Sequence, residues 1–587
     1  MSRPSLTSKF DIKSTSNIRN NSQYVRLPLM EHSYPDTSYN DHVRKRLQTY
    51  GLTPPSVESH ILQKQRCLKQ LASKTSPIEK YVYLSGLKNA NPNLFYRLLT
   101  DNFSLITPLI YTPVVGEACL RWSEIYQFPE GLYISYNDRG SIIEVLRNWR
   151  QSKVEITVVT DGSRILGLGD LGVNGMGIPV GKLALYTGCA GISPETTLPI
   201  VLDLGSNNKD LLNDKFYMGT RMQRISEKEE LEFMDELMVA LNTVWPGIIV
   251  QFEDFKNPFP ALEKYGPKYS CFNDDVQGTG AVILGGIINA LKMTHIPIKD
   301  QRAVFMGAGS AGVGVAKQIV AYFVKSGLTE EEARRKFWLV DTKGLITDDR
   351  GDKLASHKKY FSRPDNNGRQ FKTLAEVVDY VKPTILMGLS ATRGVFTEQI
   401  VRKMAALNEK PIIMPLSNPS TMSECTFEEA MKWTDGRAIF ASGSPFLPYM
   451  YNGKVMYPSQ GNNMYVFPGI GLGSILCKAI LINQDMIYTS ATALSTTLST
   501  EEFADGKLYP NIDRIREVSV VVAREVIREA QRHGLDREDS IRNLTNTQLD
   551  NWIRDRMYDP NLVEKIPYSN HCITDSKSYN TPIKSLL

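Results

Sequence analysis

Histidine is scarce in this sequence, and the scarcity restricts the chemistry that its motifs can perform. The chain has 7 histidines in 587 residues, and none lies beside the glycine-rich segments or the acidic pairs described below. We therefore do not expect a histidine general base. A lysine can take that role if burial and neighbouring cations lower its pKa, and a tyrosine can serve as the partner acid.

Cysteine pairs and long apolar runs are also missing. The 7 cysteines are scattered and never form a C-x-x-C pair, which indicates reduced thiols inside a cell rather than a disulfide or zinc framework. The longest apolar run, residues 278–291, is too short to cross a bilayer and is interrupted by Asn289. We expect a soluble protein with no membrane partner.

The chain has no large excess of one charge. It carries 68 lysines and arginines against 63 aspartates and glutamates, a net charge of +5 with no basic stripe, so we expect no nucleic-acid partner. Residues 1–25 are basic and serine-rich but lack the apolar core of a secretory signal. We interpret them as a polar leader on a cytoplasmic enzyme, with the mitochondrial matrix as the alternative location.

Glycine, by contrast, is concentrated in residues 161–191, DGSRILGLGDLGVNGMGIPVGKLALYTGCAG, around Arg164 and Lys182. Glycine is enriched where the backbone takes positive φ or approaches a ligand closely. The segment is therefore either a structural turn after a strand or part of a ligand site. An apolar helical pattern begins at Lys182, which predicts that this lysine lies at a loop-to-helix junction facing something small.

Two acidic pairs lie at the edges of buried elements. Residues 130–273 alternate strand-like and helical runs, which is typical of an α/β layer with a parallel sheet. One strand ends in Glu253 and Asp254, and Asp274 and Asp275 directly precede an apolar helix. A single pair is explained by an N-cap or a solvated turn. Two pairs without nearby histidine or cysteine favour a site for Mg²⁺ or Mn²⁺.

The pattern G-x-G-x-x-G occurs twice. Residues 167–172 match it but follow a turn and continue into more glycines and a proline, so we interpret them as a decoy. Residues 307–312, GAGSAG, follow a predicted strand and open a predicted helix, the context of a dinucleotide-binding turn. The candidate cofactor-binding residues are Gly307, Ala308, Gly309, Ser310, Gly312 and Asp341.

The choice between NADP and NAD stays open from the residues alone. Asp341 ends the next predicted strand, where an acid binds the ribose hydroxyls of NAD. Lys343, Lys358 and Lys359 lie where they could meet a 2′-phosphate. Metal, hydride acceptor and arginine together indicate oxidation of a small hydroxy acid, followed by loss of CO₂ through an enolate that the metal stabilises.

From about residue 26 to about residue 540, the chain resembles a malic enzyme. The stretches that carry the resemblance are YTPVVGEAC, VVTDGSRILGLGDLGVNGMGIPVGKLALYTGCAGI, QFEDF, FNDDVQGT, GAGSAG, LSNP, FASGSPF and QGNNMYVFPG, in the order of the family. The resemblance implies metal-dependent oxidative decarboxylation of L-malate to pyruvate and CO₂ with reduction of NADP or NAD. It also implies a homo-oligomer, either a tetramer or a dimer.

The resemblance implies a role for each matching residue. Tyr111 would be the general acid, and Lys182 the base, with Asp274 beside it. The remaining residues are the metal ligands Glu253, Asp254 and Asp275, the malate ligands Arg164, Asn418 and Asn463 with Asn462 in support, and the dinucleotide residues given above together with Asn418.

The implied fold is α/β, with a Rossmann-type domain inserted in a second α/β domain. A helical amino-terminal domain would comprise residues 26–129, the substrate domain 130–273 plus 463–534, the NAD(P)-binding domain 274–462, and a carboxyl-terminal helix and tail 535–587. DTKGLI with Lys358 and Lys359 resembles the NADP-preferring branch, whereas GAGSAGVGVA and FPGIGLG resemble NAD-linked members, and we slightly favour NADP.

Three alternatives stay open at this point. A malolactic enzyme shares nearly every motif but retains its NAD and releases lactate. An amino-acid dehydrogenase also pairs a lysine with a Rossmann turn but needs no metal. An inactive homologue would lack the chemistry, and the intact Tyr111, Lys182 and acidic pairs argue against it.

Overall fold

Seven short helices form the amino-terminal part of the protein, whose computed structural model describes residues 36–561. The expected leader, residues 1–25, and the end of the expected tail lie outside the described residues. A capping box begins the third helix, because the Ser76 hydroxyl accepts from the backbone of Glu79 and the Glu79 carboxylate accepts from the backbone of Ser76. The expected helical region is thereby confirmed. Its helices are α1 Asp41–Arg46, α2 His60–Ala72, α3 Pro77–Ala90, α4 Pro92–Asp101, α5 Phe103–Ile110, α6 Val114–Leu120 and α7 Trp122–Ile125.

Five parallel strands form the first sheet. In chain order they are β1 Leu132–Ser135, β2 Ile156–Thr160, β3 Thr197–Asp203, β4 Ile249–Phe252 and β5 Cys271–Asn273, and their spatial order is β1-β3-β2-β4-β5. The helices between and after them are α8 Ile142–Arg147, α9 Gly177–Ala190, α10 Lys209–Asn213, α11 Glu227–Val244 and α12 Phe259–Tyr265. Residues of α9 and of α11 belong to different apolar clusters, and β4 contributes Ile249 to the first cluster and Val250 to the second. The strands read as apolar runs because both faces of the sheet are buried.

A second sheet of seven strands follows the apolar helix α13, Thr279–Thr294. Its strands are β6 Ala303–Met306, β7 Phe337–Asp341, β8 Gly344–Leu345, β9 Ile385–Gly388, β10 Ile412–Pro415, β11 Ile439–Ser442 and β14 Ser459–Gln460, while β12 Tyr449–Tyr451 and β13 Lys454–Met456 form a separate hairpin. The spatial order is β14-β11-β10-β9-β6-β7-β8, with only β8 antiparallel. The helices are α14 Ser310–Lys325, α15 Glu330–Arg334, α16 Leu374–Val381, α17 Glu398–Leu407 and α18 Phe427–Trp433. The strand order changes direction between β6 and β9, which is where ligands bind in such sheets.

The carboxyl-terminal helices pack back onto elements of both earlier parts. They are α19 Phe467–Leu476, α20 Gln484–Ser495, α21 Thr500–Ala504, α22 Ile515–Arg532 and α23 Asn546–Arg554. Helix α19 contacts α9 beneath the first sheet, and α20 contacts α13. The α/β fold class is confirmed, while the exact domain boundaries stay a prediction.

Two apolar stretches among the described residues, Phe103–Leu120 and Asp274–Thr294, are long and apolar enough to span a bilayer by composition alone. In the second stretch, 83% of the apolar window is buried inside the protein. Its main helix, α13, packs between α14 and α20, so contacts within the core account for its apolar composition.

Candidate active site

Lys182 lies inside a helix rather than at its beginning. A 3₁₀ turn, Gly172–Met176, leads into α9 at Gly177, so Lys182 occupies the second turn of the helix. The expectation of a loop-to-helix junction at Lys182 is wrong. The glycines before it allow close helix packing, since a Cβ at Gly181 would lie 3.1 Å from the carbonyl oxygen of Ile110.

Two carboxylates hold the Lys182 ammonium group, which is 1% exposed. Its Nζ lies 2.9 Å from Glu253 Oε1 and donates a hydrogen bond to Asp274. Burial by itself lowers the pKa of Lys182, but the charges of Asp274 and Glu253 outweigh burial and raise it well above its ordinary value. The condition stated for a lysine base, a pKa lowered by burial and neighbouring cations, is not met among the described residues, because the charged groups that contact Lys182 are anions.

Glu253, Asp254 and Asp275 bring their carboxylate oxygens together at the carboxyl edge of the first sheet. One oxygen of each lies within 4.8 Å of the others, and the Asp254 backbone N–H donates to Asp275 Oδ2 at 2.8 Å. Burial, followed by the charge of its neighbour, raises the pKa of Asp254 to about 8 and that of Asp275 to about 7. Asp254 Oδ2 is buried without a hydrogen-bond partner among the described residues. A buried all-oxygen cluster with one unpartnered carboxylate oxygen fits a hard divalent cation.

Tyr111 and Arg164 lie beside this cluster. Tyr111 follows the last residue of α5, and its ring centroid is 5.4 Å from Lys182 Nζ. Burial raises the pKa of Tyr111, with Lys182 opposing the shift, so the hydroxyl stays protonated near neutral pH. The Arg164 backbone N–H donates to the Asp254 carbonyl, and its exposed side chain makes no ion pair with a described residue. A free guanidinium at this edge is suited to a carboxylate ligand.

Asn463 reaches Asp274 from the carboxyl-terminal part of the chain. Its amide nitrogen donates to Asp274 Oδ2 at 3.0 Å and to the Thr279 hydroxyl at 3.0 Å. Asn462 caps the following 3₁₀ turn by accepting from the backbone of Met464. The structure therefore places Asn463 against Asp274, and Asn462 in a capping position beside it.

Residues 307–312 form the strand–turn–helix expected for a dinucleotide site. Gly307 has φ of +115°, and a Cβ there would lie 2.4 Å from the carbonyl oxygen of Leu389, so only glycine fits without strain. Gly309 has open space where its Cβ would be, and α14 begins at Ser310 with no side-chain cap. Ala308 is buried beneath the turn. The uncapped helix N-terminus and the open face at Gly309 suit a pyrophosphate.

The Asp341 carboxylate is occupied by cations of its own chain. Arg350 Nη1 lies 2.9 Å and 3.0 Å from its two oxygens, Lys358 Nζ lies 2.9 Å away, and the Lys343 backbone N–H donates at 2.9 Å. Burial opposes ionisation, but these donors hold the pKa of Asp341 below its ordinary value. The expectation that Asp341 is free to accept from a ribose hydroxyl is therefore not met in this structure.

Arg350 is a residue that sequence reasoning missed. One of its guanidinium nitrogens, Nη2, is buried without a partner among the described residues. Its position nine residues after Asp341, beyond a turn, gives no periodic signal, and only the fold brings the two together. Lys359 is exposed next to Lys358.

Asn418 lies apart from the carboxylate cluster. It lies three residues after the last residue of β10, at the carboxyl edge of the second sheet. Its side chain is exposed and accepts a hydrogen bond from the Ser444 hydroxyl at 2.6 Å. No contact joins it to Lys182 or Glu253 in the described structure. Its position at the carboxyl edge of the second sheet places it among the loops that follow the dinucleotide-binding strands.

Comparison with known proteins also separates the part of the chain that carries most of the carboxylate cluster from the part that carries the dinucleotide turn. Residues 88–266 match the family model "Malic enzyme, N-terminal domain", and residues 276–531 match "Malic enzyme, NAD binding domain". The NADP-dependent malic enzyme of Dictyostelium discoideum is 49% identical over 517 residues, which are 87% of this chain and 95% of that protein. NADP-dependent malic enzyme 1 of Arabidopsis thaliana is 45% identical over 83% of this chain and 84% of its own length.

Solved structures show the same fold at lower identity. The malic enzyme of Entamoeba histolytica matches with a TM-score of 0.55 at 22% identity, covering 91% of this chain and 95% of its own. That of Pyrococcus horikoshii matches with a TM-score of 0.53 at 24% identity, covering 78% and 90%. Extended identity to named relatives, both family models and this fold together assign the chain to the malic enzyme family.

Proposed function

We propose that this protein catalyses the divalent-metal-dependent oxidative decarboxylation of L-malate to pyruvate and CO₂ with reduction of NADP⁺. The observation that carries the proposal is the burial of Lys182 between Glu253 and Asp274, next to a three-carboxylate cluster and a free arginine. The family assignment and the NADP-dependent relatives agree with it.

We assign the chemical steps to residues that the fold brings together. Glu253, Asp254 and Asp275 would hold a divalent ion, which would polarise the oxygen at C2 of malate, and a nicotinamide held at the second site would accept the hydride. The Lys182 ammonium first passes a proton to Asp274, its hydrogen-bond partner, and the neutral amine then takes the hydroxyl proton. Tyr111, which burial keeps protonated, donates a proton to the enolpyruvate carbon after CO₂ leaves.

The malate carboxylates need donors around this centre. Arg164 offers a guanidinium without an ion-pair partner among the described residues, and we assign it to one carboxylate. Asn463 and Asn418 are the neutral donors, Asn463 from beside Asp274 and Asn418 from the edge of the second sheet. Ligand binding must exchange the present partners of both asparagines for malate.

The surroundings of Asp341 favour NADP⁺ over NAD⁺. Arg350 and Lys358 take both oxygens of Asp341, which leaves no free carboxylate to repel a phosphate or to bind the ribose. The unpartnered Nη2 of Arg350 and the ammonium of Lys358 are suited to a 2′-phosphate. We assign these two residues to that phosphate.

We also propose a homo-oligomer, a dimer or tetramer, in the cytoplasm. Support for the oligomer comes from exposed apolar side chains in the helical amino-terminal region, where Tyr50 is 58%, Leu52 71% and Ile61 65% exposed. Support for the location comes from the six cysteines of the described residues, all buried and unbridged. Light scattering of the purified protein tests the first proposal, and cell fractionation tests the second.

The test of the reaction uses the purified protein with L-malate, Mn²⁺ and either NADP⁺ or NAD⁺. We expect equal amounts of pyruvate and NADPH, no turnover with a chelator, and faster turnover with NADP⁺ than with NAD⁺. Lactate without reduced cofactor would contradict the proposal in favour of malolactic chemistry. Turnover that persists without metal would contradict the role of the carboxylate cluster.

A further inference from the structure

Gln251 is a polar side chain on a buried face of the first sheet. It lies in β4 two residues before Glu253, so the two side chains project to the same side. Ile249, two residues earlier on that face, belongs to the main apolar cluster, whereas Gln251 presents an amide there and is 0% exposed. Because a buried amide is costly unless its hydrogen bonds are made, its partners indicate what it does.

The amide of Gln251 connects a tyrosine to Glu253. Gln251 Nε2 donates to Glu253 Oε2 at 2.7 Å, and the Tyr186 hydroxyl donates to Gln251 Oε1. Tyr186 is 0% exposed and lies on α9 one turn after Lys182. The three side chains form a continuous hydrogen-bonded chain in which only Glu253 has any solvent exposure, at 3%.

The direction of this chain is set by the Glu253 carboxylate, which accepts the hydrogen bond from Gln251 Nε2. With the amide nitrogen on Glu253, the amide oxygen faces Tyr186, whose hydroxyl can donate or accept and here donates to it. With the amide turned over, an oxygen would face the Glu253 carboxylate, and two acceptors would be in contact. Tyr186 therefore anchors the oxygen end of the Gln251 amide and so holds the nitrogen end at Glu253, although it does not itself touch Glu253 in the described contacts.

The result is that each oxygen of Glu253 has its own partner. Oε2 is held by Gln251, and Oε1 lies 2.9 Å from Lys182 Nζ. Rotation of the carboxylate would disturb the arrangement with Asp254 and Asp275 and the contact with Lys182 together. Partners that orient a ligating carboxylate are a general requirement of metal centres.

We propose that Gln251 and Tyr186 are positioning residues that fix the Glu253 carboxylate for the divalent ion. The proposal rests on the proposed function of Glu253 as a metal ligand. Neither residue contacts malate or the dinucleotide in this proposal, and both act through Glu253.

The test measures Mn²⁺ binding without malate or NADP⁺, from the electron paramagnetic resonance signal of free Mn²⁺. Gln251→Met removes both hydrogen bonds at similar volume, and we expect the Kd for Mn²⁺ to rise about 10- to 100-fold. Tyr186→Phe keeps the ring that packs 4.9 Å from the Phe467 ring and removes only the hydroxyl. We expect a smaller rise of several-fold for it, and an unchanged Kd for NADPH in both variants.

Two control variants are needed. One tests whether a loss of stability alone weakens Mn²⁺ binding, and the other tests whether Glu253 binds the metal at all. Tyr509→Phe also deletes a buried hydroxyl, which donates to the Val282 carbonyl at 3.0 Å, and we expect it to lower the melting temperature without changing the Mn²⁺ affinity. Glu253→Gln removes the carboxylate itself and must weaken Mn²⁺ binding strongly.

The outcomes are distinguishable. If Glu253→Gln leaves the Mn²⁺ affinity unchanged, the metal site itself is wrong. If Glu253→Gln weakens binding but Gln251→Met and Tyr186→Phe stay within twofold of the unmodified protein, the positioning inference alone is wrong. Equal weakening by Tyr509→Phe and Tyr186→Phe would also overturn it, because the effect would then follow stability.

Discussion

Two segments of this chain share the pattern G-x-G-x-x-G and fold differently. Residues 307–312 turn directly from β6 into α14, and a Cβ at Gly312 would lie 2.3 Å from the carbonyl oxygen of Gly307. Residues 167–172 lie in a loop with 3₁₀ turns, and the open Gly167 and Gly169 make no close approach. The same pattern therefore folds as a strand-to-helix turn in one place and as a loop with 3₁₀ turns in the other.

The difference extends to the charges around each segment. Arg224 holds the first loop by pairing with Asp161 at 3.2 Å and Asp170 at 2.8 Å, near the edge that carries the carboxylate cluster. The second segment lies by the edge where Arg350 and Lys358 gather around Asp341. One edge gathers carboxylates and the other gathers cationic side chains, and this separation should allow the two proposed sites to be disabled independently.

Replacing Lys182 by alanine should have the largest effect and should affect only the first site. We expect kcat to fall about 10²- to 10⁴-fold, the range that a general base contributes, because no other described amine contacts Asp274. Steady-state kinetics measure this loss, and fluorescence titration should give an unchanged Kd for NADPH. Substantial residual activity would contradict the assignment of Lys182 as the general base.

The second glycines of the two patterns form a matched pair. Gly309 has φ of −76° and open space, so Gly309→Ala should fold normally but weaken NADPH binding about tenfold, because its methyl group blocks the pyrophosphate. Gly169 has φ of +100°, so Gly169→Ala should cost about 1–3 kcal/mol of unfolding free energy and leave the Kd for NADPH unchanged. Titration and denaturant unfolding of both variants check this, and the reverse outcome would assign the dinucleotide to the first segment.

Replacing Lys358 by alanine should lower the preference for NADP⁺ over NAD⁺ and should change turnover with NAD⁺ little. A charge-assisted hydrogen bond contributes about 1.5–3 kcal/mol, so we expect kcat/KM for NADP⁺ to fall about 10- to 100-fold and that for NAD⁺ to change little. Lys359→Ala is the comparison, since its exposed side chain makes no ion pair with a described residue. Equal losses in both variants would contradict the assignment of the 2′-phosphate to Lys358.

The smallest effect concerns the pH dependence of stability near the first loop. Burial, followed by the charge of Asp161, raises the pKa of Glu230 from 4.5 to about 7, with Arg224 opposing. The folded state then binds more protons than the unfolded state between these values, so this contribution to stability is full below pH 4.5 and is lost as the pH rises through 7. The melting temperature of the unmodified protein should therefore fall relative to Glu230→Gln between pH 5 and pH 8. A constant difference across that range would show that the pKa of Glu230 is not raised.

The sequence by itself determined the α/β class, the family and the chemical types at each site. Motif context separated the turn at residues 307–312 from the decoy, because a strand before it and a helix after it are visible as local patterns. The two acidic pairs predicted a metal site with oxygen ligands, because carboxylates without nearby histidine or cysteine favour a hard cation. All of these are short-range features, which periodicity and residue type are able to express.

Only the tertiary structure decided which groups meet. It placed Asp274 and Glu253 beside Lys182, which raises the pKa of the lysine, and it brought Arg350 onto Asp341. It also moved the start of α9 to Gly177, because glycines that read as a loop serve close helix packing. The charge around a side chain and the space around a glycine are set by residues distant in sequence, so no local pattern could have supplied them.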